Sequence, residues 1–180
     1  MSNNNVCEKI LYTQEEITQA VERLGKEISE NYAGKPVVFV SVLNGAFIFV
    51  SDLVRNVSLE TYIDFMQVST YGNSTTTSSN FNIKKDLSND ITGKDVIIVE
   101  DILDTGYTLY NLVQYLKSKN PASVKIAAFI DKPARRKQDI KADYVGFTMD
   151  KDYFIVGYGL DYAQKYRNLP YVGVLSEHLH

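Results

Sequence analysis

The chain has 180 residues, of which 44% are hydrophobic and 23% are charged, and its formal net charge is −3. This size and composition predict a single globular domain over residues 1–180 and exclude collagen-like, disordered and disulfide-scaffold classes. A negative net charge argues against nucleic-acid binding, which depends on a basic surface. The single cysteine, Cys7, cannot form an internal disulfide, and no apolar run is long enough for a membrane span. Because the amino-terminus also lacks a signal-peptide pattern, we expect a cytoplasmic protein without membrane contact.

The predicted elements alternate between helix and strand. Residues 13–31 are predicted to form a helix, because Thr13 and Glu16 have capping-box spacing and apolar residues recur on one face. Residues 37–43 form an almost continuous apolar run, which is typical of a buried parallel strand, and a turn at 44–45 follows it. Further strands are predicted over 59–70, 96–99, 124–130, 143–147 and 154–157, and further helices over 46–55 and 106–119. This alternation favours an α/β fold with an open, mostly parallel sheet.

A polar segment over residues 72–80 has no apolar side chain. Two interpretations of this segment stay open. It is either a solvated connection between two strands of a hairpin or a mobile lid, since long polar loops in compact domains are often functional.

The segment after the predicted strand 96–99 carries the most chemical information. Glu100 and Asp101 follow the strand directly, and a short loop with Asp104 leads into the next helix. Ligands bind at the carboxyl ends of strands in open α/β sheets, and the free N–H groups of a helix start suit a phosphate. Gly106 would let the backbone approach that phosphate closely. The hydroxyls of the two neighbouring threonines, Thr105 and Thr108, would add hydrogen bonds.

The acidic residues of this segment need a different partner, because carboxylates repel a phosphate. Glu100 and Asp101 are expected to face ribose hydroxyls or a Mg²⁺ ion, and Asp104 is expected to act on a proton. A purely structural alternative is that Asp104 and Thr105 cap the helix. The combination of these residue types in one loop favours function over that alternative.

Several other kinds of site are excluded by their missing motifs. Neither G-x-x-x-x-G-K-[ST] nor G-x-G-x-x-G occurs, which argues against the common nucleotide-binding loops. The only histidines are His178 and His180, so a histidine-based triad or metal site is disfavoured.

Residues 99–109, Val-Glu-Asp-Ile-Leu-Asp-Thr-Gly-Tyr-Thr-Leu, resemble the phosphoribosyl-pyrophosphate signature of type I phosphoribosyltransferases. Segments 43–47, 70–72, 131–133 and 154–167 resemble, in order, the pyrophosphate loop, the lid, the base-recognising lysine and the purine segment of that family. The combination is most similar to the branch that acts on 6-oxopurines, the hypoxanthine(-guanine) phosphoribosyltransferases. The resemblance implies a twisted, mostly parallel sheet flanked by helices, with a small hood built from the terminal segments.

The resemblance also implies a reaction and its residues. A 6-oxopurine such as hypoxanthine or guanine would displace pyrophosphate from phosphoribosyl pyrophosphate, giving IMP or GMP, with Asp104 as the catalytic residue that takes or shares the N7 proton. Lys132 would donate to O6 and Phe154 would stack on the purine. The implied substrate-binding positions are Leu43, Asn44, Gly45, Thr70, Tyr71, Glu100, Asp101, Thr105, Gly106, Tyr107, Thr108, Lys132, Phe154, Ile155 and Arg167. The implied Mg²⁺ ligands are Glu100, Asp101 and Asp161, and the implied assembly is a homodimer or homotetramer.

The sequence departs from some relatives at three positions. Asn44, Tyr107 and Tyr153 stand where several family members have lysine. In the pyrophosphate loop, backbone N–H groups would then do the binding, with a cis peptide between Leu43 and Asn44. These departures leave open the ranking of hypoxanthine, guanine and xanthine.

Alternative interpretations also remain for the whole chain and for one basic segment. A regulatory module would bind phosphoribosyl pyrophosphate without catalysis, and another salvage transferase would take xanthine or adenine. The absence of a DNA-binding segment and of a positive charge argues against the regulatory module. The basic residues of the segment are interpreted as a solvated loop, with a subunit contact as the alternative; they are Lys132, Arg135, Arg136, Lys137 and Lys141.

Overall fold

The computed structural model describes the backbone of residues 6–71 and 80–179 and the side chains of residues 6–69 and 81–179. The strands are β1 (Cys7–Tyr12), β2 (Val37–Leu43), β3 (Thr61–Tyr71), β4 (Asn80–Lys85), β5 (Asp95–Leu103), β6 (Ser123–Asp131), β7 (Tyr144–Thr148), β8 (Ile155–Val156) and β9 (Val172–Leu175). The helices are α1 (Gln14–Asn31), α2 (Phe47–Arg55) and α3 (Tyr107–Lys117). Residues 72–79 lie outside the described residues, so the lid and the hairpin connection both remain predictions.

The main sheet has six strands in the order β4-β3-β2-β5-β6-β7. Strand β2 pairs parallel with both β3 and β5, and β5, β6 and β7 continue the parallel pairing. Strand β4 pairs antiparallel with β3 at the edge. The predicted open and mostly parallel sheet is confirmed. The carboxyl ends of its parallel strands meet at one edge, where a ligand site is expected.

The helices and the sheet bury two apolar clusters, one on each face of the sheet. Side chains of α1 and α2 pack on one face, with Leu24, Ile28 and Phe49 fully buried against Phe129 of β6. Side chains of α3 pack on the other face, against alternate residues of β2 and β5. This arrangement explains why β2 and β5 are apolar almost throughout, since strands covered on both faces lose the alternating pattern. None of the helices in the described ranges is long and apolar enough to cross a membrane.

Helix α1 begins where the sequence predicts. The Thr13 hydroxyl accepts a hydrogen bond from the Glu16 N–H at 3.3 Å, and the Thr13 N–H donates to Glu16 Oε2 at 2.8 Å. This reciprocal pair is a complete capping box, which satisfies two N–H groups that a helix start otherwise leaves unpaired.

Strands from the two ends of the chain form the hood. Strand β1 pairs antiparallel with β9, and β9 pairs antiparallel with β8, in a separate three-stranded sheet. The hood implied by the resemblance is confirmed, although β1, β9 and the edge strand β4 were not predicted from the residue pattern.

One predicted boundary is wrong in a way that affects the site. The strand predicted over 96–99 extends as β5 from Asp95 to Leu103, so Glu100 and Asp101 lie inside the strand rather than after it. The apolar pattern ends at Glu100, but the backbone pairing with β6 continues to Leu103. The two carboxylates are therefore held by a rigid strand, and only Asp104 belongs to the loop.

Candidate active site

A cavity of about 370 Å³ opens at the carboxyl ends of β2 and β5. The loop after β2, the end of β5, the loop before α3 and two residues of the hood form its wall. Predicted site residues make up most of this lining: Leu43, Asn44, Gly45, Glu100, Asp101, Asp104, Thr105, Gly106, Thr108, Asp161 and Arg167. The structure thus brings together, in one polar cavity, residues that are more than 120 positions apart in the sequence.

The loop over residues 104–106 turns the chain from β5 into α3. Gly106 immediately precedes the helix with φ = +86°, a left-handed conformation that favours glycine. A Cβ at this position would also lie 2.7 Å from a methyl group of Ile140, so both backbone angle and space require glycine. Among the side chains that the structure describes, none makes a capping hydrogen bond at this helix start, so the interpretation of Asp104 and Thr105 as simple caps is wrong. The first N–H groups of α3 remain available to a ligand.

Glu100, which is buried, and Asp101, which is half-buried, form an acidic pair in the wall of this cavity. Burial raises the pKa of Glu100 well above its ordinary value, and the neighbouring Asp101 charge raises it further. Burial also raises the pKa of Asp101, while hydrogen bonds to its carboxylate, among them one at 2.7 Å from the Ile102 N–H, act in the opposite direction. Two adjacent carboxyls that resist ionisation in this way would be stabilised as anions by a cation or by hydrogen-bond donors of a ligand.

The loop after β2 is packed tightly between β5 and the hood. The peptide bond between Leu43 and Asn44 is cis. A Cβ at Gly45 would overlap the carboxylate of Asp101, and a Cβ at Gly159 of the hood would overlap the carbonyl oxygen of Gly45. Three segments of the chain therefore stack here with no room for a single added methyl group.

Asp161 and Arg167 bring the hood into the same cavity. Arg167 Nη2 lies 2.8 Å from Asp161 Oδ1, and Arg167 Nη1 donates to the Gly159 carbonyl at 2.7 Å. The second oxygen of Asp161 accepts a hydrogen bond from the Gln164 N–H at 2.8 Å. These contacts hold a guanidinium and a carboxylate of the hood beside the acidic pair of β5.

A second cavity, of about 460 Å³, adjoins the first and shares Asp101, Asp104 and Asp161 with it. Lys132 lines it and is almost buried, with 7% of its surface exposed, and its ammonium group donates to the Tyr153 carbonyl at 2.9 Å. Phe154 lines the same cavity with 47% of its surface exposed.

Two further residues of the second cavity, Phe154 and Ile155, lie just before β8 and at its start. The rings of Phe154 and Tyr162 are nearly perpendicular, and their centroids lie 5.6 Å apart. Ile155 begins β8 with its side chain buried, so its backbone is the part that lines this cavity. A buried cation, an exposed aromatic ring and a strand backbone form the wall of a slot for a flat, polar ring.

The interpretation of the basic segment as a solvated loop is wrong for two of its five residues, Lys132 and Arg136, while Arg135 is exposed but ion-paired. Lys132 is buried, and Arg136 pairs with Asp131 and donates to the Asp104 carbonyl at 2.9 Å. Arg135 lies with its Nε 2.7 Å from Asp104 Oδ1 and also donates to Asp152. The acids that pair with Arg135 lie 17 or more positions away in the sequence, so a pattern of basic residues alone could not reveal these pairs.

Three predicted residues are not placed in either cavity. Tyr107 begins α3 with 39% of its surface exposed and lines neither cavity, so its side chain is not part of the described site. The backbones of Thr70 and Tyr71 end β3, but their side chains lie outside the described residues. Conversely, sequence reasoning missed Arg135 and Asp152 as members of the second cavity.

Comparison with known proteins identifies the family of this site. A family model described as the phosphoribosyl transferase domain matches residues 9–163. The chain belongs to the phosphoribosyltransferase family. Among curated relatives of this phosphoribosyltransferase, the hypoxanthine-guanine phosphoribosyltransferase of Streptococcus pneumoniae strain R6 is 46% identical over 176 residues, which cover 98% of this chain and 97% of the relative.

Two further comparisons agree with this branch of the family. The hypoxanthine-guanine phosphoribosyltransferase of Bacillus subtilis strain 168 is 48% identical over 169 residues, covering 94% of this chain and 93% of the relative. The crystal structure of a hypoxanthine phosphoribosyltransferase from Staphylococcus aureus superposes with a TM-score of 0.95 at 43% identity, covering 100% of this chain and 99% of that one. The predicted family and the predicted phosphoribosyltransferase fold are both confirmed.

Proposed function

We propose that this phosphoribosyltransferase transfers the 5-phosphoribosyl group from phosphoribosyl pyrophosphate to N9 of hypoxanthine or guanine. Pyrophosphate leaves, and the product is IMP or GMP, so the enzyme serves purine salvage. The observation that carries the proposal is that Asp104, Lys132 and Phe154 line one cavity, which shares Asp101, Asp104 and Asp161 with the cavity at the start of α3. A base and a phosphoribosyl group can then meet beside Asp104.

Lys132 selects the base by the substituent at C6 of its six-membered ring. Lys132 carries three N–H donors and no acceptor, so it suits the O6 acceptor of a 6-oxopurine. Adenine would place an amino group against this ammonium, which leaves buried donors unpaired at a considerable cost. Phe154 supplies a ring face on which the purine stacks, and the Ile155 backbone reads the far edge of the base.

Asp104 handles the proton that the base loses. As the bond from N9 to ribose C1 forms and pyrophosphate leaves, positive charge develops on the purine. Asp104 stands in the cavity wall shared by the base and the ribose, where its carboxylate accepts or shares the N7 proton. General-base assistance of this kind contributes a factor of about 10²–10⁴ to the rate.

The phosphates bind to backbone and hydroxyl groups. The 5′-phosphate lies at the start of α3, where free N–H groups and the hydroxyls of Thr105 and Thr108 converge and the helix dipole favours an anion. Arg167 and the backbone around Asn44 and Gly45 hold the pyrophosphate. Thr70 and Tyr71 are proposed to join this subsite from the end of β3.

The donor set fits a Mg²⁺ ion. Glu100 and Asp101 are carboxyls whose pKa values are raised by burial, so a divalent cation beside them would offset an unfavourable pair of charges. Within the described ranges no three acidic, histidine or cysteine side chains form a metal cluster, and Mg²⁺ commonly takes one or two carboxylates together with substrate phosphates. Glu100 and Asp101 would hold this ion, and Asp161 would hold a second Mg²⁺ or its water. A bound Mg²⁺ neutralises charge that gathers on the leaving pyrophosphate.

A homodimer or homotetramer and a cytoplasmic location complete the proposal, with one domain over residues 1–180. Phe47, the last residue of the pyrophosphate loop, begins α2 and is 43% exposed, which supports a subunit contact at this place. The single cysteine supports a reducing compartment. The net charge of −3 supports small-molecule rather than nucleic-acid partners.

A product assay tests the proposed activity. Purified protein is mixed with phosphoribosyl pyrophosphate and Mg²⁺, and hypoxanthine, guanine, xanthine and adenine are offered separately. We expect nucleotide from hypoxanthine and guanine and none from adenine, while the xanthine rate completes the ranking. Tight binding of phosphoribosyl pyrophosphate without product from any base would contradict the proposal and favour a regulatory sensor.

The variant Asp104→Asn tests the proton role in the same assay. It keeps the side-chain shape but loses the proton acceptor, so kcat should fall by about 10²–10⁴-fold while phosphoribosyl-pyrophosphate binding changes little. Asp139→Asn, an exposed residue outside both cavities, is the matched control. Equal losses in turnover and in phosphoribosyl-pyrophosphate binding would remove Asp104 from proton transfer.

A further inference from the structure

Four charged side chains alternate in sign along one wall of the second cavity, where the proposed function places the purine base. Lys132 Nζ lies 3.5 Å from Asp152 Oδ1, Asp152 accepts a hydrogen bond from Arg135, and Arg135 Nε lies 2.7 Å from Asp104 Oδ1. The proposed function assigns roles to the two ends of this row, Lys132 and Asp104. It leaves the two middle members, Arg135 and Asp152, without one.

The two carboxylate oxygens of Asp104 have different surroundings. Oδ1 is fully buried and makes no hydrogen bond of good geometry, although it lies at ion-pair distance from Arg135. The Asp104 side chain as a whole is nevertheless 40% exposed, so the exposed surface is on the rest of the side chain, which includes Oδ2. A buried, charged oxygen needs a nearby opposite charge, and the Arg135 guanidinium supplies it.

The backbone fixes Arg135 close to the residue that reads the base. Arg135 ends a short 3₁₀ turn, Pro133–Arg135, and its N–H donates to the Lys132 carbonyl at 3.1 Å. The guanidinium is a planar fork that contacts two carboxylates at once, which a lysine ammonium does less well. The side chain of Arg135 is 43% exposed, so its ion pairs contribute little to the free energy of folding. This arrangement suits a function in the site better than a function in stability.

We propose that Arg135 is a positioning residue for Asp104: it holds Oδ1 against the wall and so presents Oδ2 to N7 of the bound purine. Asp152 contacts the guanidinium of Arg135 and also the ammonium of Lys132. It therefore fixes the distance between Lys132, which donates to O6, and Asp104, which accepts the proton from N7. The inference rests on the proposed function, because it assigns Arg135 a task only if Asp104 accepts the proton.

The test compares Arg135→Gln, Arg135→Lys and Lys137→Gln in steady-state assays with hypoxanthine and phosphoribosyl pyrophosphate. Loss of the guanidinium leaves Asp104 free to turn, and a misplaced catalytic group costs up to about 100-fold. We expect kcat of Arg135→Gln to fall about 10- to 100-fold, with KM for phosphoribosyl pyrophosphate unchanged within about twofold. Arg135→Lys should recover part of the rate, because the charge remains. Lys137 is an exposed neighbour in the same loop, and its variant should match wild type.

A double-mutant cycle separates positioning from other functions. Because Arg135 acts through Asp104, adding Arg135→Gln to Asp104→Asn should lower kcat by less than about twofold beyond Asp104→Asn alone. Fully additive losses of kcat in the double variant would overturn the inference. A higher kcat in Arg135→Gln than in wild type would also overturn it, because Arg135 would then hinder binding of the base. An inactive wild-type enzyme would instead refute the proposed function. Circular dichroism spectra confirm that each variant is folded.

Discussion

Lys132 illustrates how one side chain sets base choice at the residue scale. Its ammonium is buried and already donates to the Tyr153 carbonyl, so it enters the site with its position fixed. Lys132→Gln replaces a donor-only group with an amide that can also accept. We expect the ratio of kcat/KM for hypoxanthine to that for adenine to fall about 10- to 100-fold, since one unpaired buried group costs about 1–3 kcal/mol.

The control for this prediction is Lys141→Gln, which changes an exposed lysine of the same basic segment. Competition assays with both bases measure the ratio directly. An unchanged base preference in Lys132→Gln, with a similar loss of rate on both bases, would place O6 recognition at another residue.

Sequence reasoning at the residue scale succeeded where a residue belongs to a local pattern. Asp104, Gly106 and Thr108 stand within a few positions of each other, and the structure places all three in one cavity wall. Arg135 and Asp152 were missed because their ion pairs join segments 17 or more positions apart. No spacing rule predicts such a contact, since the turn that brings the side chains together is set by the fold.

At the scale of elements, the capping box of α1 makes a quantitative prediction. Thr13→Ala removes the side-chain acceptor of the Glu16 N–H and frees the Glu16 carboxylate from its partner hydroxyl. We expect the free energy of unfolding to fall by about 1 kcal/mol. Chemical denaturation at neutral pH measures the loss, with enzymatic activity unchanged because α1 lies outside both cavities.

Thr18→Ala is the matched control on the same helix. Thr18 is exposed and its hydroxyl only donates back to the Gln14 carbonyl, a bond that adds little to helix stability. A destabilisation of Thr18→Ala as large as that of Thr13→Ala would show that loss of a threonine, rather than loss of the cap, is responsible.

The elements that the sequence failed to predict share a physical cause. Strands β1 and β9 pair with each other from opposite ends of the chain, and β1 exposes Glu8 and Lys9 without a regular alternation. A strand of this kind is stabilised by its partner rather than by its own apolar pattern. By contrast, β2, β5 and β6 are buried on both faces, and their apolar runs predict them without knowledge of any partner.

At the scale of the whole molecule, the site carries a stability cost that depends on pH. Burial raises the pKa of Glu100 well above its ordinary value. Below that ordinary value the carboxyl is protonated in both folded and unfolded chains. As the pH rises above it, the unfolded chain releases the proton first, so the free energy of unfolding falls until the folded carboxyl also ionises.

Glu100→Gln removes this dependence. Without added Mg²⁺, the variant should be more stable than wild type near neutral pH, because glutamine has no proton to lose in the buried site. The melting temperature of the variant should then exceed that of wild type at about pH 8, and the difference should vanish at about pH 4. Calorimetry across this range measures it, with Glu22→Gln on the exposed face of α1 as control. A constant difference at all pH values would point to packing instead of ionisation.

The stacking of Gly45 between Asp101 and Gly159 has a consequence for which positions of the chain can be varied. A side chain at Gly45 collides with the Asp101 carboxylate, and one at Gly159 collides with the Gly45 backbone. A side chain at either position would have to be accommodated by shifts in other segments, so we expect single substitutions here to destabilise the fold strongly. Libraries built to change the substrate range should therefore keep Gly45 and Gly159 fixed and vary other residues that line the two cavities.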